Sequence, residues 1–185
     1  MGTFINAGLL FVAFVTLAIC SGFVANAARL TTDLPGYSTN KDLQAGHSKL
    51  ATAAVIGWIT TVGILVLGIL YIVFASAETM GVFNNIVIYL LLFLALTATA
   101  AVGIYSAIGA TDIGNSKISK EGNDAYKDAI IAAVLGIVVF VLLLVALIVK
   151  LFHKPKKTTL ESKEKGLSWL AKSVEEDPEL AAEVL

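Results

Sequence analysis

Residues 129–152 read AIIAAVLGIVVFVLLLVALIVKLF. Twenty-one residues pass before the first charge, Lys150. About 20 apolar residues span the hydrocarbon core of a bilayer as a helix. The run is continuous, where a barrel strand alternates and is far shorter. Helices are the other way to satisfy a backbone in lipid. Three similar runs precede it, at about residues 4–28, 50–76 and 82–109. None of the four contains Asp, Glu or Arg. The expected fold is an all-α, four-helix transmembrane bundle.

The composition agrees. Of 185 residues, 57% are hydrophobic and 15% charged, with mean hydropathy +0.85. A soluble domain carries about 25% charged residues. A net charge of −1 gives no polyanion signal, and no nucleic-acid partner is expected. Cys20 is the single cysteine, so no intrachain disulfide can form, and it reads as a small packing residue. The chain has no N-x-S/T sequon. The first run lacks a basic flank and is too long for a signal peptide, so it reads as a retained anchor. Gly2 is not followed by Ser or Thr at position 6, which argues against myristoylation.

Spans two and three are separated by residues 77–81 alone, which makes them antiparallel neighbours. The first and third connections are both about twenty residues and polar. Four spans put both termini on one side. The positive-inside rule counts evenly, but Lys150, Lys154, Lys156 and Lys157 crowd the end of the last span. That cluster reads as a membrane-surface basic patch and favours cytoplasmic termini.

Sliding the chain by 79 positions aligns the halves without a gap. Phe14 meets Phe93, Thr32-Asp33 meets Thr111-Asp112, Lys41 meets Lys120, and Ala53-Ala54-Val55 meets Ala132-Ala133-Val134. The unit is a two-helix hairpin, so the organisation is hairpin repeat one at 1–79, hairpin repeat two at 80–153 and a polar tail at 154–185. Copies of equal topology are related by an axis along the membrane normal. Small residues four apart recur in the spans: Ala18 with Gly22, Ala53 with Gly57, Thr99 with Gly103, Ala132 with Gly136. They are expected to let helices of one chain approach closely.

Catalytic chemistry is not visible. Nucleophile–base sets and glycine-rich phosphate loops are missing. His47 and His153 fall at opposite membrane faces and cannot share a metal. No cofactor is expected. The spans offer Thr16, Thr60, Thr61, Thr97 and Thr99, hydroxyls that usually bond back to their own helix. Trp58, Tyr71, Tyr89 and Tyr105 suit interface belts or packing.

Charge is confined to the loops and the tail. Thr32, Asp33, Thr111 and Asp112 follow the odd spans and read as turn-shaping residues, or else as contacts for a partner. Residues 41–50 and 120–129 read as helical lead-ins to the even spans. In the tail, Leu160, Leu167, Leu170 and Val174 recur at helical spacing, and with Trp169 they form a candidate docking face. Asp177-Pro178 opens a short helix over 178–185.

Tetraspanins, claudins and connexins depend on loop cysteines that this chain lacks. Its plan is similar to MARVEL-type vesicle proteins in topology only. The segment KDLQAGHSKL at 41–50, running into AAVIGW at 53–58, resembles small multi-span virion membrane and minor capsid-associated proteins of large double-stranded DNA viruses. The likeness covers about a quarter of the chain. The second repeat departs from it, with Tyr126 for His47 and Ile137 for Trp58. The resemblance implies a tether between a virion's internal membrane and its capsid proteins. The sequence therefore points to a non-enzymatic membrane scaffold. The alternatives are a small transport or pore-forming protein and a MARVEL-like vesicle protein.

Overall fold

The computed structural model describes residues 2–76, 82–116 and 123–152. They form four helices: α1 (Gly2–Thr32), α2 (Lys41–Ser76), α3 (Val82–Asn115) and α4 (Asp124–Phe152). The protein is all-helical over these residues, and each helix is long and apolar enough to cross a membrane. Residues 153–185 lie outside the described residues.

Each helix buries one seam, and the spacing of that seam fixes the packing. In α2 the seam runs through Leu43, Gly46, Leu50, Ala53, Gly57, Thr60, Ile64, Leu67 and Tyr71, with Ala54 and Thr61 buried beside it. The steps alternate three and four. In α1 the same alternation runs from Asn6 through Leu10, Ala13, Leu17, Cys20, Val24 and Ala27 to Thr31. α3 and α4 repeat it, from Ile88 to Ile113 and from Ala125 to Lys150. A strict 3.5-residue period keeps a straight seam inward only if the helices wind left-handedly, as in coiled coils. The opposite faces carry Phe11, Ile59, Leu90, Phe93 and Ile137, all exposed and apolar, as lipid demands.

The helices close into a ring in which α1 packs on α2 and α4, and α3 packs on α2 and α4. Neighbours are antiparallel, since Asn6 meets Tyr71 while Ala28 meets His47. One end of the ring therefore carries the start of α1 and the finish of α4 (the terminal end). The other carries the connections after α1 and α3 (the loop end).

The 79-residue shift appears in the packing of the even helices. Every residue of the α2 seam from Gly46 to Tyr71 has a buried counterpart in α4, from Ala125 to Lys150. Of the small-residue pairs, Ala53 with Gly57 and Ala132 with Gly136 lie on these seams. Gly136 meets the backbone of Gly103, where an added Cβ would stand 2.8 Å from the Gly103 Cα. Thr99 is buried and donates to its own helix at Leu96 O, 2.9 Å. The pair Ala18 and Gly22 does not carry the α1 contact. Both lie beside the seam, half-buried, and nothing stands within 4 Å of a Cβ added at Gly22. The buried residue facing Gly57 is Ser21, whose Oγ an added Cβ would approach at 2.5 Å.

Candidate functional site at the loop end

The helices are longer than a bilayer requires. α2 has 36 residues, or about 54 Å at 1.5 Å per residue, against a hydrocarbon core of about 30 Å. The lead-in over 41–50 is continuous with its span, as the sequence suggested. α4 begins at Asp124, so the lead-in there covers 124–129 of the described residues. α3 does not stop near residue 109 but continues to Asn115. These extra turns carry the polar residues, and the polar residues tie the helices together.

Polar contacts at this end join different elements. Lys49 of α2 pairs with Asp112 of α3 at 2.6 Å, half-buried. Asn26 Nδ2 of α1 donates to the Asp128 carboxylate of α4 at 2.7 Å, and Arg29 donates to Asn26 Oδ1 at 3.1 Å. His47 Nδ1 of α2 lies 2.9 Å from Ala28 O, a geometry that requires the proton on Nδ1 because the carbonyl only accepts. Its ring meets Tyr37 edge-on at 5.7 Å. Asn40 does two things at once. Its Oδ1 accepts from the Asp42 and Leu43 amides, capping α2, while its Nδ2 donates to Ser116 O at the end of α3.

Lys49 and Asp128 are 79 residues apart. The two hairpins thus use the same helical position, with opposite charge, to grip the odd helix of the other hairpin. Asp33 and Asp112 are not equivalent in the structure. Asp33 follows α1 in the turn, exposed, 3.9 Å from an exposed Arg29, a pair worth little. Asp112 is not in a turn: it lies inside α3, where the helix continues and Lys49 supplies its partner. Thr32 and Thr111 each donate to a carbonyl of their own helix, at Arg29 and Ala107. The turn after α1 closes through Gly36, whose φ of 79° is the left-handed conformation that glycine takes without strain.

Lys150 corrects the sequence reading. It was expected at the lipid surface with Lys154, Lys156 and Lys157, yet it is only 7% exposed. Its ammonium sits over the rings of Tyr71 and Tyr89. The seam explains the turn inward, because Ala146 is buried four residues earlier on the same face. The other lysines, the docking residues Leu167, Trp169, Leu170 and Val174, and the helix at 178–185 lie outside the described residues.

Sequence reasoning missed Asn26, Asn40 and Lys49. Asn40 had a signal, since Asn ahead of a helical run is a strong N-cap. Between α3 and α4 an apolar cleft of about 230 Å³ opens over the Gly103–Gly136 contact. The one hydroxyl there, on Thr99, is already bonded to its own helix. Among the described residues no three His, Cys, Asp or Glu gather for a metal. No protein-family model, curated protein or solved structure matches the chain.

Proposed function

We propose that the chain is a non-enzymatic integral membrane scaffold. The bundle sits in the bilayer, and the loop end on one side and the polar tail on the other present protein-binding surfaces. The carrying observation is the construction of the loop end. The turns that project beyond the span length are held in one arrangement by Lys49–Asp112, Asn26–Asp128, His47–Ala28 and Asn40–Ser116. A surface ordered before binding loses less conformational freedom when a partner docks. The viral resemblance supplies the specific form: a link between a virion's internal membrane and its capsid proteins, with the termini on the cytoplasmic side.

The test is a photo-crosslinking residue at Asp33 or Thr111 in the native membrane. A protein adduct shared by both positions is expected. Adducts to lipid alone would overturn the scaffold reading.

One observation favours a transport or pore-forming reading: Lys150 faces inward, and ionisable groups inside membrane bundles often mark solute paths. Against it, Leu17, Ile64, Leu92 and Leu143 are at most 2% exposed and fill the interior further along. Ion or solute flux through the purified chain in liposomes would decide for that reading.

A further inference from the structure

At the terminal end each helix supplies one residue to a single cluster. Lys150 of α4 holds its Nζ 5.0 Å from the ring centroid of Tyr71 on α2 and 5.8 Å from that of Tyr89 on α3. The Tyr89 hydroxyl donates to the carbonyl of Lys150 itself at 3.1 Å. Asn6 of α1 donates from Nδ2 to the Tyr71 hydroxyl at 3.0 Å. Asn6 is 2% exposed, and its Oδ1 has no hydrogen-bond partner among the described residues.

A lysine one turn from a helix end can extend its stem to the headgroup region at little cost. This one forgoes that route. Tyrosine faces attract a cation through the ring quadrupole, and the attraction grows as water is withdrawn. Two π faces around one point are chemistry that attracts an ammonium, and Asn6 fixes the hydroxyl of one of them. By contrast, the buried hydroxyls of Thr31, Thr60, Thr61, Thr99 and Ser106 close on their own helices.

We propose that Tyr71 and Tyr89, with Asn6 holding the Tyr71 hydroxyl, form a primary-ammonium site at the terminal end, with the Lys150 side chain as its tethered occupant. Because the occupant belongs to α4, the site clamps the last turn of that helix onto α2 and α3. Removing the ammonium opens the site to a free one.

The test is thermal unfolding of the full chain in detergent micelles. Lys150→Ala lowers the melting temperature by about 2–4 °C or more. Millimolar n-propylammonium, which replaces the deleted atoms, recovers at least half of that shift, and n-propanol recovers none. Adding Tyr71→Leu and Tyr89→Leu abolishes the recovery. Equal recovery by propanol, or none by either compound, overturns the proposal. Should Lys150→Ala not fold, Lys150→Met keeps the stem, and a cycle with Tyr71→Leu is read instead. Non-additive shifts support the site, and additive ones overturn it.

Discussion

Gly136 and Gly22 look alike in sequence and differ in what surrounds them. A methyl at Gly136 would collide with the backbone of Gly103, which cannot rotate away. Gly136→Ala is therefore expected to destabilise the bundle by about 1–3 kcal/mol, as overpacking does. Gly22→Ala meets open space on a helix and is expected to be neutral or to stabilise by about 0.5–1 kcal/mol. Unfolding of both variants in mixed micelles checks the contrast, and equal effects would contradict the seam assignment. Lys49 and Asp112 make the second residue-scale case. Their side chains are 34% and 20% exposed, so solvent screens much of the attraction. Their coupling in a double-mutant cycle is expected near 1 kcal/mol. The exchanged pair, Lys49→Asp with Asp112→Lys, should recover most of it.

Among the elements, α2 shows most clearly how a polar lead-in becomes part of a span. Asn40 caps it, and the first turns then follow the same seam as the apolar part. Asn40→Ala should cost about 1 kcal/mol through the cap. It should also speed amide exchange at Asp42 and Leu43 and release the end of α3 near Ser116. Exchange that accelerates at α2 alone would mean that the Asn40–Ser116 bond does not join the two elements. The helix cores were legible in sequence because an uncharged apolar run of about 18 residues or more matches the length of a spanning helix and little else. Their outer ends were not. Past residue 109 the hydropathy of α3 falls, yet the helix continues because Asp112 and Ile113 find partners on α2. Hydropathy reports the lipid boundary, whereas the helix ends where its backbone partners run out.

For the whole molecule, the ring order is the strongest claim open to test. Cysteines placed at Asn26 and Asp128 should crosslink readily with Cys20 replaced by Ser, because those side chains touch across α1 and α4. A pair on the diagonal, at Asn26 of α1 and Thr111 of α3, should not. The topology predicts that Thr39→Cys and Thr159→Cys label from opposite sides of a sealed membrane. Labelling of both from one side would dismiss a four-span plan. Sequence alone determined the four helices, their number and the small-residue stripes of α2 and α4, because each follows from local composition and period. Tertiary structure alone decided that Lys150 turns inward, that Ser21 and not Gly22 faces Gly57, and that Asp112 belongs to an ion pair and not a turn. The physical reason is common to all three. A residue's role here depends on which side chains a neighbouring helix presents at its level, and those lie 36 to 79 residues away in the chain.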